Sequence, residues 1–153
     1  GLTIIGKDES PEHEEAYYRS LLKNYDFEFV ARKVSTSSYL ALDKSEIIVF
    51  TSSTLGYESL ARGKKTAAIM LDAEIIGAEA LKFGWPAKLP DDGPFWTHRF
   101  SEQRLHEIMD YLRNIEDREW DQTRTQAIKD VITFDPSNSQ FSTVINSLRQ
   151  SWQ

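Results

Sequence analysis

Residues 46–71 constrain the fold more than any other part of this chain. They contain two short apolar runs, 47–50 and 67–71, and both runs are continuous rather than alternating. Such runs are typical of parallel strands that are covered on both faces. Residues 54–62 lie between them and are expected to form the crossover helix that two parallel strands need. The segment therefore predicts a β-α-β unit.

The residues before this segment continue the same alternation. An apolar strand is predicted at 2–6, and a helix is predicted to start at Ser10-Pro11, where serine can cap the helix and proline fits its first turn. A second strand at 27–30 and a short helix near 39–43 follow. This order predicts an α/β fold, a Rossmann-like doubly wound parallel sheet flanked by helices.

The second half of the chain begins irregularly and then becomes helical. Glycine, proline and aromatic residues interrupt residues 71–99, so we expect a partly ordered loop with one helical stretch at 73–82. After Ser101, apolar residues recur at helical spacing. They predict three C-terminal helices, the last of which follows Asp135-Pro136.

Length and composition limit the classes of protein to consider. With 153 residues the chain is expected to form one domain. Its net charge of −6 gives no general attraction to nucleic acid or to an anionic membrane, so any phosphate site must be local. No apolar run approaches the roughly 18 residues of a membrane helix, and there is no signal peptide pattern. The absence of cysteine fits the cytoplasmic location that we expect.

Hydroxyl side chains are concentrated where the first strand of the β-α-β unit ends. Ser52, Ser53 and Thr54 are expected beside the N-terminus of the crossover helix, whose unpaired N–H groups and positive dipole end favour phosphate. The same residues could simply cap the helix, a common role that contributes about 1 kcal/mol. Glu58 favours a ligand site, because a carboxylate one turn further along can accept both hydroxyls of a ribose.

Two cations follow the ends of other predicted strands. Ligands of open α/β sheets bind outside the carboxyl ends of the strands, so Lys7, Arg32 and Ser52 could converge on one crevice. Arg32 is the better phosphate ligand because a guanidinium can donate two parallel hydrogen bonds. Both cations could equally be ordinary solvated charges. Asp72, which follows the next strand, could contact a sugar or begin a turn.

Several familiar sites are not predicted. His13, His98 and His106 lack the spacing of metal ligands, and the chain has no cysteine, so no metal site is expected. A histidine could act as a general base, but surface or satisfied positions are more typical. The chain has no Walker A loop, no dinucleotide-binding glycine motif and no G-x-S-x-G nucleophile elbow. It is therefore not predicted to be a kinase, a P-loop NTPase or an NAD-binding domain.

The segment around Ser52 resembles the nucleotide-binding segment of GT-B glycosyltransferases and of the related non-hydrolysing UDP-GlcNAc 2-epimerases. In those enzymes Ser-Gly-Gly is followed by a glutamate at the sixth position after the serine and then by Gly-Lys-Pro. The matching residues are Ser52, Glu58, Gly63 and Lys64. Ser53 and Thr54 replace the two glycines, and Lys65 replaces the proline. The sequence from Ser52 to Lys65, together with Phe-Asp-Pro-Ser-Asn at 134–138, is similar to that of bacterial surface-carbohydrate biosynthesis glycosyltransferases.

This resemblance implies the C-terminal, nucleotide-sugar-binding half of a metal-independent GT-B enzyme that makes a surface polysaccharide. The donor would be a UDP, GDP or CMP sugar, acting as substrate with no further cofactor. The residues expected to bind it are Ser52, Ser53, Thr54, Glu58, Arg32 and Lys7. Catalytic residues would come mainly from the other half.

A strand begins almost directly after Gly1, so we expect a domain excised from a longer two-domain enzyme. The missing N-terminal half would bind the acceptor, and the isolated domain would bind its ligand without turning it over. In the full-length protein the domain could work at the inner face of the membrane.

Two alternatives remain open at this point. Half of a nucleotide-sugar 2-epimerase would share the arrangement of Ser52 and Glu58, with acidic residues and histidine supplied by the absent half. A non-enzymatic, flavodoxin-like interaction module would bind no nucleotide at all.

Overall fold

Strands and helices alternate along the first 76 residues, as the sequence predicts. The computed structural model describes residues 1–7, 10–32 and 37–151. Its first elements are β1 (Leu2–Ile5), α1 (Pro11–Leu21), β2 (Phe27–Val30), α2 (Ser37–Lys44), β3 (Ile47–Phe50), α3 (Thr54–Ala61), β4 (Lys65–Ile69) and α4 (Leu71–Ile76). The later elements are a 3-10 turn at Glu79–Leu81, β5 (Asp92–Gly93), β6 (Trp96–Thr97), α5 (Glu102–Asn114), α6 (Asp117–Ile128) and α7 (Ser139–Ser151). The α/β fold class, with parallel strands flanked by helices, is confirmed.

The chain divides into two compact units, Gly1–Glu46 and Ile47–Gln153. In the first unit β1 and β2 pair in parallel, with Leu2 opposite Phe27. Helix α1 begins at Pro11, as predicted from the sequence. The predicted single domain, and its origin in a longer enzyme, stay predictions.

The second unit is built on a sheet with the strand order β3-β4-β6-β5. β3 and β4 are parallel, as are β4 and β6, whereas β5 and β6 are antiparallel. β4 starts at Lys65, two residues before the apolar run that predicted it. Polar residues fit here because their side chains are satisfied: the Lys65 amine donates to the carbonyl of Ile115 at 2.7 Å, and the hydroxyls of Thr66 and Ser59 lie 3.2 Å apart.

Aromatic side chains fill the core of the second unit. Phe83, Phe95, Trp96 and Trp120 are buried, and the rings of Phe95 and Trp120 meet edge to face with their centroids 5.1 Å apart. The indole N–H of Trp120 donates to the carbonyl of Gly63 at 2.9 Å, so its polar atom is also satisfied. Burying one such side chain contributes roughly 2–3 kcal/mol. The core therefore joins α6 to the turn that separates α3 from β4.

The expectation of a loop with one helical stretch at 73–82 was wrong in its details. The segment forms α4, the 3-10 turn and the β5-β6 hairpin, and β6 extends the sheet by pairing with β4. A strand of two residues is too short to show an alternation of apolar and polar residues. Its formation therefore depends on packing and on pairing with its neighbours. Trp96 lies over Gly93 so closely that a Cβ added to this glycine would lie 2.1 Å from the ring.

The three predicted C-terminal helices are confirmed. Ser101 caps α5, because its hydroxyl accepts a hydrogen bond from the N–H of Arg104 at 3.2 Å. Before α7, the Asp135 carboxylate accepts from the N–H of Gln140 at 2.8 Å and from the hydroxyl of Ser139 at 3.1 Å. These hydrogen bonds, that of Gln140 first, lower the pKa of Asp135. Within the described part of the chain, no helix combines the length and the apolar character needed to cross a bilayer.

Candidate functional site

Ser52 and Asp72 meet at the carboxyl edge of the sheet in the second unit. Ser52 follows β3, and Asp72 lies in the first turn of α4, directly after β4. Because β3 and β4 are parallel neighbours, the residues that follow them lie at the same edge. The hydroxyl of Ser52 donates to Oδ2 of Asp72 at 2.6 Å. The sheet thus joins two polar side chains that are 20 positions apart.

The N-terminus of α3 presents free donors beside this pair. Ser53 occupies the N-cap position with extended backbone (φ −97°, ψ 132°), but its side chain makes no capping hydrogen bond. Among the described residues, the N–H groups of Thr54 and Leu55 have no hydrogen-bond partner. Ser52, Ser53 and Thr54 are all exposed. Capping alone therefore does not account for the hydroxyl cluster, and an anion could accept hydrogen bonds from these groups.

Glu58 lies outside the face of α3 that enters the core. Gly56 is buried against the ring of Phe50. Successive helical residues are turned by about 100°, so Glu58, two positions later, lies on the opposite side of the helix from Gly56. Its side chain is half-buried. The predicted contact with a ribose is compatible with this position and stays a prediction.

Hydrogen bonds on the core side hold α3 in place. The hydroxyl of Ser59 donates to the carbonyl of Gly56 within α3 at 2.7 Å and lies 3.2 Å from the hydroxyl of Thr66 in β4. The hydroxyl of Tyr57 accepts from the N–H of Gly84 at 3.1 Å, and its ring stacks on that of Phe83 with centroids 5.6 Å apart. Burial raises the pKa of Tyr57, and the hydrogen bond to Gly84 acts in the opposite direction. Both the ring and the hydroxyl of Tyr57 are engaged, so this side of α3 is packed against the segment around Phe83.

Lys7 and Arg32 belong to the first unit. Both side chains are exposed, and each residue follows a strand, β1 and β2 respectively. The backbone N–H of Lys7 donates to the carboxylate of Glu14 in α1 at 3.0 Å. Their predicted convergence with Ser52 on one anion stays a prediction.

A charge cluster around Asp91 was not predicted from the sequence. The carboxylate of Asp91 lies 3.1 Å from the Lys82 amine, 2.9 Å from the Arg99 guanidinium and 3.5 Å from Nδ1 of His98. Lys82 first, and then Arg99 and His98, lower the pKa of Asp91 to about 2. Nε2 of His98 accepts from the N–H of Phe83 at 3.0 Å, which leaves the ring hydrogen on Nδ1, facing Asp91. His98, only 3% exposed, is therefore a structural residue that ties the hairpin to the preceding loop.

One polar concavity of the second unit lies away from Ser52 and Asp72. An open cleft of about 470 Å³ is found at the amino end of β4, beside Gly63 and Lys65. One of its two arginines, Arg124, already donates to the carbonyl of Leu60 and to Asp121, each at 2.9 Å. Among residues 1–7, 10–32 and 37–151, no three side chains of His, Asp or Glu gather in a way that could hold a metal ion.

The comparison with known protein families gives one result. The model of a family described as "putative O-antigen biosynthesis protein" matches residues 2–149. No curated protein and no solved structure matches the chain. Since the family match extends over nearly all of the 153 residues, the chain belongs to this O-antigen biosynthesis family.

Proposed function

We propose that this chain binds the nucleotide-sugar donor of a glycosyltransferase that builds a surface polysaccharide. Membership of the O-antigen biosynthesis family supports a role in polysaccharide biosynthesis. The finer assignment, to a nucleotide-sugar site of the GT-B type, is supported by the resemblance around Ser52 and by the local geometry at α3.

The observation that carries the proposal is the set of free donors at the start of α3. The N–H groups of Thr54 and Leu55 have no partner among the described residues, and the hydroxyls of Ser53 and Thr54 are exposed beside them. A phosphate group consists of acceptor oxygens with negative charge, which such donors and the positive end of a helix bind well. Each hydrogen bond to a charged group contributes roughly 1.5–3 kcal/mol.

Glu58 is proposed to bind the ribose of the same nucleotide. The rise from Thr54 to Glu58 along α3 is about 6 Å, since an α-helix advances about 1.5 Å per residue. The phosphate of a nucleotide is joined to its ribose through a single methylene group, so both parts can contact one helix at this spacing. A carboxylate accepts hydrogen bonds from both ribose hydroxyls and gains no such contact from a free phosphate.

In the proposed reaction the protein stabilises the departing nucleotide. When the bond between the sugar and its phosphate breaks, negative charge develops on the phosphate oxygens, and donors that are already in place lower the barrier. The N–H groups at the start of α3 would supply that stabilisation. In the resembled enzymes the acceptor and the catalytic base belong to a second half, so this chain alone is expected to bind rather than to turn over.

Titration of the chain with UDP, GDP and CMP tests the proposal. One of these nucleotides should shift the amide resonances of residues 52–58 and raise the melting temperature. A ligand at 100 times its dissociation constant stabilises a protein by about 2.7 kcal/mol. The corresponding nucleosides, uridine, guanosine and cytidine, are the control for phosphate recognition and should bind far more weakly. A lack of response to all three nucleotides would contradict the proposal and favour a ligand-free interaction module.

A further inference from the structure

The hydrogen of the Ser52 hydroxyl is already engaged within the protein. It is donated to Oδ2 of Asp72, and the two oxygens are 2.6 Å apart, a length typical of a bond between a hydroxyl and a charged carboxylate. A serine hydroxyl has one hydrogen and two acceptor lone pairs. Toward any ligand, Ser52 in this arrangement therefore presents acceptor capacity alone.

Asp72 adds further acceptors at the same place. A carboxylate has about four lone-pair positions, and Ser52 occupies one of them. Among the described residues, no Lys, Arg or His nitrogen lies within 4.0 Å of the Asp72 carboxylate. Ser52 is exposed and Asp72 is half-buried, so a ligand can reach both. Together they form a patch that accepts hydrogen bonds and carries a negative charge.

A patch of acceptors with negative charge favours the binding of hydroxyl groups and disfavours the binding of phosphate. The oxygens of a phosphate are acceptors with negative charge, so they gain no hydrogen bond from the pair and are repelled by the carboxylate. Free donors for phosphate lie close by, because Thr54 is two residues after Ser52 and their Cα atoms can be at most about 7 Å apart. The start of α3 thus has a donor region next to an acceptor region, and this division matches the two parts of a nucleotide sugar.

We propose that Ser52 and Asp72 form an acceptor subsite for the hydroxyl groups of the transferred sugar, while the phosphates bind to the N–H groups at the start of α3. This assignment rests on the proposed function. It changes the role expected for Ser52 from the sequence resemblance, in which the serine helps to bind phosphate. Asp72 then determines specificity, because it orients the Ser52 hydroxyl and accepts hydrogen bonds from the sugar.

Binding of matched pairs of ligands separates the two roles of Ser52. The affinities of UDP and UDP-glucose, GDP and GDP-mannose, and CMP and CMP-N-acetylneuraminate are measured by calorimetry for the wild type and for Ser52→Ala and Asp72→Asn. For the pair that binds, we expect Asp72→Asn to weaken binding of the nucleotide sugar about 10- to 100-fold, the range for a hydrogen bond to a charged group. Ser52→Ala should weaken it about 2- to 10-fold, the range for a hydrogen bond between neutral groups. The affinity for the bare nucleotide should stay within about twofold or increase slightly for Asp72→Asn, because a negative charge is removed.

Asp130→Asn is the matched control, since it removes one exposed carboxylate of the same unit in the turn after α6. It should leave both affinities unchanged. If Ser52→Ala lowered the affinity for the nucleotide and for the nucleotide sugar equally, Ser52 would bind phosphate, and the proposed subsite would be wrong. Unchanged affinities in both variants would overturn it as well. If the wild type binds none of the six ligands, the proposed function itself fails, a result distinct from the failure of the subsite alone.

Discussion

The ring of Phe50 occupies the space that a side chain at position 56 would need. A Cβ added to Gly56 would lie 2.0 Å from Cγ of Phe50, far inside van der Waals contact. The last residue of β3 and the first turn of α3 are therefore packed backbone against ring. This contact sets the position of the exposed hydroxyls and of the N–H groups that begin the helix.

Gly56→Ala should destabilise the protein by about 1–3 kcal/mol, the range for an extra methyl group in a packed core. Urea unfolding followed by tryptophan fluorescence measures the change. The double variant Phe50→Ala, Gly56→Ala tests the cause, because the methyl group then meets no ring. If Gly56→Ala costs as much in the Phe50→Ala background as in the wild type, the assigned contact is wrong.

Replacing Glu58 by alanine should weaken nucleotide binding by about 1–3 kcal/mol, because the ribose hydroxyls lose a charged acceptor. The fold should be unchanged, since the side chain is only half-buried. Calorimetry with the nucleotide that binds gives the affinity, and circular dichroism reports the fold. Glu119→Ala, which removes an exposed glutamate of α6, is the control. Equal affinity of Glu58→Ala and wild type would remove the ribose assignment.

Arg32 offers a test of the predicted cation contacts. If it binds phosphate through two parallel hydrogen bonds, Arg32→Ala should weaken nucleotide binding several-fold, and Arg32→Lys should restore only part of the loss. Lys7→Ala should have a smaller effect, since an ammonium binds as a point charge. Arg118→Ala, on the exposed side of α6, controls for the change in net charge. If all four variants bound the nucleotide with the affinity of the wild type, Arg32 and Lys7 would be solvated surface charges.

The Asp91 cluster predicts how stability depends on pH. Folding lowers the pKa of Asp91 from 3.8 to about 2, chiefly through Lys82 and then through Arg99 and His98. A carboxyl with a depressed pKa in the folded state stabilises the protein above pH 4, and this contribution is lost as the pH falls toward 2. Asp91→Asn should therefore be less stable than wild type at pH 7, and the difference should shrink between pH 4 and pH 2.

Urea unfolding of wild type and Asp91→Asn across that pH range measures the effect. Asp130→Asn, which removes an exposed carboxylate of the same unit, reports the effect of a lost charge alone. A stability difference for Asp91→Asn that is independent of pH would show that the cluster does not act through ionisation.

Asp135 should control the first turn of α7. Its carboxylate accepts from the N–H of Gln140 and from the hydroxyls of Ser137 and Ser139, which lowers its pKa. Asp135→Ala should therefore speed hydrogen exchange at residues 139–143 without changing exchange in α5. Ser101→Ala, which removes the cap of α5, should show the opposite distribution. If each variant changed hydrogen exchange equally in α5 and in α7, local capping would be the wrong explanation.

The local elements of this protein can be predicted from its sequence. The apolar runs around Ile47 and Ala67, the Ser10-Pro11 helix start and the cap at Ser101 depend on residues close together in the chain, as does the break at Asp135-Pro136 before α7. The hydroxyl cluster and Glu58 could be found in the same way, because one helical turn sets their spacing.

Contacts between residues that are far apart in the chain depend on tertiary packing. β6 has two residues, too few to show a hydrophobic period. It forms a strand because Trp96 packs over Gly93 and because the backbone of β6 pairs with β4. Ser52 donates to Asp72 because β3 and β4 are parallel neighbours, which brings residues 20 positions apart to one edge. The Asp91 cluster likewise depends on the hairpin. Propensity and periodicity act within a few residues, whereas these hydrogen bonds between side chains depend on which chain segments the core brings together.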